Sequence, residues 1–243
     1  MDKKVAIITG GVKGIGRAIA EELAGEGYVS IISDIDKKNG KEINKNNNKN
    51  LIFKYCDVSK EDDIKSLIDA IMNDFGRIDV LVNNAGVIRR RNTEEIKIED
   101  WDIVFKVNIR GSFIFCKYVS EIMKQQDSGK IVNISSIAGK VGDITSAPGY
   151  GPSKSALNGL TKTFAREMAP YNVNVNAIAP HAIATDMSSE WSEEKRKKVL
   201  SEIPLNRLGQ PSNVAATVLF LISQGADFIT GEIIDVNGGY LMD

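Results

Sequence analysis

The sequence is short of the residues that build metal and disulfide sites. Among 243 residues there is one histidine, His181, and there are two cysteines, Cys56 and Cys116. A single histidine and the lack of any C-x-x-C pair argue against a His/Cys zinc site. The two cysteines read as reduced, buried thiols, as expected of a cytoplasmic protein. Charge of one sign is also missing: 31 Lys+Arg face 32 Asp+Glu, for a net charge of −1. No global field therefore favours nucleic acid or an anionic membrane as partner. The longest apolar run, Val218 to Ile222, has five residues, against the roughly 20 that span a bilayer. The N-terminal MDKKVAIITG enters a strand pattern at once and shows no signal peptide. These absences leave a chain long enough to bury a sizeable core in one α/β domain.

What is present alternates. Val5 to Ile8 is a β-branched apolar run that stops at Thr9-Gly10, and the helical spacing Ile15, Ile19, Leu23 begins just beyond. Tyr28 to Ser33 reads as a second buried strand, completing a β-α-β unit. Lys37 to Asn50 reads as a short solvated helix and loop, and Leu51 to Cys56 as a third strand. Ile64, Leu67, Ile68, Ile71, Met72 and Phe75 keep the spacing of an amphipathic helix. Strand four, Ile78 to Val82, runs into Asn83-Asn84-Ala85-Gly86, and a long helix is expected from about Glu99 to Gln126. Then come strand five (Lys130 to Ser135), a helix carrying Tyr150, and strand six (Asn174 to Ile178). A polar connection over 182–209, with a small helix around Glu193 to Leu200, precedes a helix from Ser212 to Ser223 and a strand Ile233 to Val236. The pattern predicts a single-domain, Rossmann-type, doubly wound parallel sheet of about seven strands with helices on both faces. The 182–209 connection is longer than ordinary loops and is expected to cover a substrate site.

Ligands of such sheets bind outside the carboxyl ends of the strands, where strand order reverses. Thr9-Gly10-Gly11-Val12-Lys13-Gly14-Ile15-Gly16 stands in that strand-to-helix position. Glycines let the backbone approach a pyrophosphate, and the helix N-terminus offers free N–H groups. The spacing G-x-x-x-G-x-G is looser than G-x-G-x-x-G, so a purely structural turn is the alternative. Asp34, with Ile35 beside it, ends strand two, where a carboxylate can accept hydrogen bonds from the adenosine ribose. A 2′-phosphate would meet like charge there, so NAD(H) is favoured. Lys13 supports the alternative, NADP(H), because a basic residue in the turn can pair with that phosphate. Asp57-Val58 would border the adenine, with Asp57 as a helix cap the plainer reading. Asn84, Ala85 and Gly86 would lie beside the ribose. Asn108 sits in a mostly apolar helix, where its side chain needs a partner, structural or catalytic.

Tyr150 and Lys154, four apart in YGPSK, share one face of a helix, with Cβ atoms roughly 5–6 Å apart. Tyrosine titrates near ~10, and acid/base use near neutral pH requires lowering that by about 2–3 pH units, roughly 3–4 kcal/mol. A lysine charge at about 4 Å in an effective dielectric of ~20 supplies roughly 4 kcal/mol. For this motif alone, an exposed pair without function is the alternative.

Together the motifs resemble a known family. TGGVKGIG, Asp57-Val58, NNAG, Asn108, ISS at 134–136, YGPSK and VNGG at 236–239 stand in the order and spacing of the short-chain dehydrogenase/reductases, over essentially the whole chain. The resemblance implies an enzyme that interconverts a ketone and a secondary alcohol with a nicotinamide cofactor. It implies Tyr150 as acid/base and Ser136 on the carbonyl oxygen. Lys154 would hold the nicotinamide ribose and stabilise the phenolate, Asn108 would anchor a water of a proton relay, and Pro180, Ile183 and Thr185 would lie beside the carboxamide. It further implies a homodimer or homotetramer built on the helices after strands four and five. Two places depart from the family. Fourteen positions separate Ser136 from Tyr150 where the family usually has thirteen, and the extra residue is expected between Gly142 and Gly149. Pro180-His181 replaces Pro-Gly; histidine lacks glycine's freedom in φ, and His181 either faces the small-molecule substrate or points to the surface.

For the substrate, Arg89, Arg90 and Arg91 follow NNAG at the rim of the expected cleft. They are either a solvated loop or partners for a substrate carboxylate. N-A-G followed by I-R-R resembles the sugar-acid dehydrogenases. The overall pattern is equally similar to the 3-oxoacyl-(acyl-carrier-protein) reductases, although Gln125, Gln126 and Tyr171 stand where those usually carry basic residues for the carrier. A non-catalytic dinucleotide sensor or scaffold is the alternative function; loss of Tyr150 or Lys154 would mark it, and both are present.

Overall fold

Five consecutive buried residues, Val5–Thr9, form β1, an interior strand of a seven-stranded sheet. The structure is a computed structural model and describes residues 3–45, 48–143, 147–185 and 191–243. After β1 the order is α1 (Gly14–Gly25), β2 (Val29–Asp34), α2 (Lys37–Lys45), β3 (Leu51–Tyr55), α3 (Glu61–Phe75) and β4 (Val80–Asn83). Then come α4 (Ile98–Phe105), a π-helical stretch (Lys106–Gly111), α5 (Ser112–Gln126), β5 (Gly129–Ile134), α6 (Ala138–Val141) and α7 (Tyr150–Met168). β6 (Val173–Pro180), α8 (Glu193–Ser201), α9 (Pro211–Ile222) and β7 (Ile233–Val236) follow. Every neighbouring pair of strands is parallel, in the order β3-β2-β1-β4-β5-β6-β7. The order reverses between β1 and β4, which is where such sheets open a ligand crevice.

The alternation of β1 explains why helices cover both faces. Val5 and Ile7 point into a cluster with Ile64 and Ile71 of α3, Phe115 and Met123 of α5, and Phe164 of α7. Ala6 and Ile8 point the other way, against Ile19 and Leu23 of α1 and Val214, Val218 and Leu221 of α9. Fully burying each such aliphatic side chain contributes about 1.5–3 kcal/mol, so neither face of β1 can be left to solvent. The strands are accordingly mostly apolar, as parallel strands buried on both faces tend to be, with a few buried polar residues such as Ser30, Asn83 and Asn133 among them.

Three differences from the sequence reading exceed a one-residue shift. β6 runs on to Pro180, because Ala177 to Pro180 pair with Ile233 to Val236. β4 starts at Val80, two residues after Ile78, whose N–H is taken by the Gln126 side chain (3.0 Å). The long helix over 98–126 is continuous but widens to π geometry around Asn108, where Gly111 packs so closely that a Cβ would lie 2.7 Å from the Val58 carbonyl. Single π turns of this kind are frequent at functional sites. No helix among the described residues is long and apolar enough to cross a membrane.

Candidate active site

The glycine turn after β1 is held from three sides. Gly10 adopts φ +64° and Gly14 φ +58°, left-handed values that glycine reaches without strain. At Gly16 a Cβ would stand 2.4 Å from the Gly10 carbonyl and 2.5 Å from Asn84 Nδ2, so only glycine lets α1 dock on the turn. Asn84 Nδ2 donates to the carbonyls of Thr9 and Gly10 (both 2.9 Å), while the Thr9 hydroxyl accepts from the N–H groups of Asn84 (3.0 Å) and Ala85 (2.9 Å). The NNAG segment thus clamps the turn. Asp34, at the end of β2, accepts from the N–H of Val12 (3.2 Å) and of Asp36 (3.1 Å). An acceptor-only carboxylate keeps further lone pairs for ribose hydroxyls. A turn open to close backbone approach, with that carboxylate at its edge, fits a dinucleotide.

A cleft of about 500 Å³ opens at the carboxyl edge of the sheet. Lys13, Gly14, Ile15, Asn84 and Gly86 line one end, and Ser136, Tyr150, Lys154, Pro180, His181, Ile183 and Thr185 line the rest, with Arg90 at its wall. Tyr150 and Lys154 lie on the first turns of α7, where the missing N–H of Pro152 costs little. Ser136 follows β5, and its Oγ accepts from the Ala138 N–H (3.2 Å). Burial holds the Tyr150 hydroxyl above its ordinary value; its hydrogen bond with Ser136 acts the other way, Asp143 adds to the rise, and the Arg90 charge opposes it. Across the fourteen-position spacing, Ser136 and Tyr150 line the same cleft. Residues 144–146, part of the stretch expected to take up the extra residue, lie outside the described residues.

Lys154 is 3 % exposed and donates through Nζ to the Ile134 carbonyl (2.7 Å). Burial brings its ammonium down to about 8. Its Nζ lies 5.8 Å from the Tyr150 ring centroid, with the ammonium anchored to the end of β5. Asn108 is fully buried; its Oδ1 accepts from the Val87 N–H (2.8 Å), and Nδ2 donates to the Val87 carbonyl (3.0 Å) and to Ser153 Oγ (3.0 Å). It ties the segment after NNAG to α7.

A family model described as enoyl-(acyl carrier protein) reductase matches residues 10–241. Over its whole length the chain is 40% identical to the 3-oxoacyl-(acyl-carrier-protein) reductase of Thermotoga maritima, covering 99% of that protein. It is 42% identical to the same-named protein of Aquifex aeolicus (97% of this chain, 96% of the relative) and 39% to that of Staphylococcus epidermidis (98% and 99%). The chain belongs to the short-chain dehydrogenase/reductase family. As a short-chain dehydrogenase/reductase it is an oxidoreductase that uses a nicotinamide dinucleotide to interconvert a carbonyl and an alcohol.

Not every residue singled out in the sequence faces the cleft of this short-chain dehydrogenase/reductase. Gly10, Gly11, Val12, Gly16, Ala85 and Asn108 are not part of its lining, nor are Asp34, Ile35, Asp57 and Val58, at or beyond the ends of β2 and β3. Asp57 Oδ1 accepts from the Ser59 N–H (3.0 Å), and Lys60, not Asp57, is the cap residue of α3. Arg89 turns away to Asp100 (3.3 Å). His181 causes no strain: its N–H continues the β6–β7 pairing to the Val236 carbonyl (3.1 Å), and it is not among the residues with positive φ. The chain beyond it is pinned where Ala184 N–H meets the Gly209 carbonyl (2.8 Å) and Gly209 N–H meets that of Ala182 (2.9 Å). Ile134 and Ser135 of the ISS motif also line the cleft, as do Val87, Ala182 and Trp191, which had not been singled out. Of those three, only Trp191, an isolated aromatic in a polar connection, carried a sequence signal.

Proposed function

We propose that Tyr150 is the proton donor and acceptor for NAD(H)-dependent interconversion of a ketone and a secondary alcohol. The observation that carries the reading is one cleft lined together by Tyr150, Ser136 and Lys154. When bound, the nicotinamide ring supplies hydride to the substrate carbon or takes it away. Tyr150 is protonated at neutral pH and ready to donate to a carbonyl oxygen during reduction. Ser136 hydrogen-bonds the same oxygen as charge develops on it. Lys154 binds the nicotinamide ribose and stabilises the phenolate once the cleft is filled. Asn108 keeps the Val87 backbone and α7 in register and, through that hydrogen-bonded position, anchors the proton relay. Pro180, Ile183 and Thr185 form the wall against the carboxamide, and the 182–209 connection covers the substrate; its residues 186–190 lie outside the described residues.

NAD(H) is favoured because Asp34 stands at the ribose edge with Asp36 two residues on, so a 2′-phosphate meets negative charge. Lys13 is near enough to Asp36 to help, after the hydrogen bonds from Asn39, in holding that carboxyl below its usual range, so part of its charge is already answered. Steady-state kinetics with both cofactors is expected to give a higher kcat/KM with NADH; a clear NADPH preference would contradict this. A 3-oxoacyl thioester is a second substrate reading, resting on the relatives' names. Self-association to a homodimer or homotetramer is supported by Phe113, exposed on α5, and by Phe220 and Phe228, exposed elsewhere; light scattering after gel filtration tests it. A cytoplasmic setting agrees with Cys56 and Cys116, both free, whose thiols burial pushes up to about 11 and about 12.

A further inference from the structure

The three arginines after NNAG do three different things. Arg89 turns to Asp100, and exposed Arg91 donates to the backbone carbonyl of Arg90. Arg90 is the one of the three that lines the cleft. Its Nε is buried and meets no hydrogen-bond partner among the described residues. A buried donor left unmade is unfavourable, and turning the guanidinium toward an acceptor in the cleft would relieve it. The guanidinium is also near enough for its charge to act on the Tyr150 hydroxyl, so a molecule with its reacting oxygen at Tyr150 can bring an acceptor to Arg90.

A second orphaned atom belongs to another residue of the cleft lining, His181. His181 Nε2 is buried and unpartnered among the described residues, with its ring 4.1 Å from that of Tyr240. Burial holds the imidazole below its ordinary value, so at neutral pH it offers a hydrogen bond without a charge. We propose that Arg90 anchors the carboxylate of a small hydroxy or keto acid and that His181 faces a hydroxyl of the same molecule. A planar guanidinium fork matches a carboxylate, whereas a thioester brings no such anion beside its reacting carbon. The inference rests on the carbonyl–alcohol chemistry proposed for Tyr150.

The test needs no turnover, so failure of that chemistry and failure of the anchor are separable. The NADH complex is titrated by calorimetry with 3-hydroxybutyrate and with gluconate, each against its methyl ester; an alcohol and NADH form a complex that does not react. At least one acid is expected to bind tighter than its ester by roughly tenfold or more, as two charge-assisted hydrogen bonds allow. Arg90→Met is expected to erase that difference and leave the ester within about threefold of wild type. His181→Phe is expected to weaken gluconate by about threefold to tenfold, as loss of one neutral hydrogen bond would, and to leave 3-hydroxybutyrate unchanged. Equal binding of acid and ester in both pairs, no detectable binding of either acid, or a preference surviving in Arg90→Met would overturn the anchor. Inorganic phosphate competing as well as the better acid would overturn it too, by making the site a general anion site. Unchanged gluconate binding in His181→Phe would remove the hydroxyl contact.

Discussion

Replacing Lys154 by methionine should stabilise the cofactor-free protein while abolishing turnover. The lysine is buried, its ammonium is hydrogen-bonded to the Ile134 carbonyl, and burial lowers its pKa from 10.5 to about 8. At pH 7 the folded protein carries the charge at a disadvantage equivalent to about 3 kcal/mol. Methionine removes the charge but leaves the Ile134 carbonyl without this donor, which costs about 1–2 kcal/mol. The net expectation at pH 7 is a gain of about 1–2 kcal/mol. The sign with pH follows from proton counting. Between pH 8 and pH 10.5 the unfolded chain still holds the lysine proton and the folded one has released it. Wild-type stability therefore rises, relative to the methionine variant, by about 1.4 kcal/mol per pH unit in that window. Urea unfolding of the two cofactor-free proteins at several pH values from neutral to alkaline reads both effects. A variant clearly less stable at neutral pH, or a stability difference that does not change with pH, would refute the reasoning.

Ser136→Ala removes the hydroxyl partner of Tyr150 and of the substrate oxygen, and kcat is expected to fall about 10²–10³-fold with NADH affinity kept; a kcat near wild type would remove Ser136 from the mechanism. Gly16→Ala drives a Cβ to 2.4 Å from the Gly10 carbonyl, so fluorescence titration should show NADH affinity falling at least about tenfold, with a destabilisation of about 1–3 kcal/mol. Asp34→Asn keeps an acceptor for the Val12 N–H but removes the charge, and the ratio of kcat/KM for NADPH over NADH is expected to rise about tenfold, the worth of roughly 1.4 kcal/mol. An unchanged ratio would sink the role given to Asp34.

The fold was legible because its periodicities are strong: Ile64 to Phe75 is all but a diagram of a helix, and β1, β2 and β7 appear within a residue of their apolar runs. The cleft residues Ser136, Tyr150 and Lys154 were legible because each follows a predictable strand end or helix start, and topology alone brings those ends together. Side-chain direction was not. Helical spacing puts Tyr150 and Lys154 on one face, but the carbonyl at the end of β5 captures the ammonium, a choice made by a strand distant in sequence. The same holds for Arg89, Arg90 and Arg91, three identical neighbours whose different fates depend on Asp100 of α4 and on the cleft. His181 was read through the φ freedom of a glycine, although β7 holds its N–H in ordinary strand pairing. The π turn at Asn108 left no periodic trace, because its cause is the contacts to Val87, Ser153 and Val58 rather than a local preference.

Single-turnover oxidation of NADH by Tyr150→Phe, followed by stopped-flow absorbance with a ketone that the wild type reduces, tests the central claim most directly. Phenylalanine keeps the ring and removes only the hydroxyl. The account predicts a rate lower by about 10²–10⁴-fold, with the NADH dissociation constant unchanged. Oxidation at the wild-type rate would contradict it.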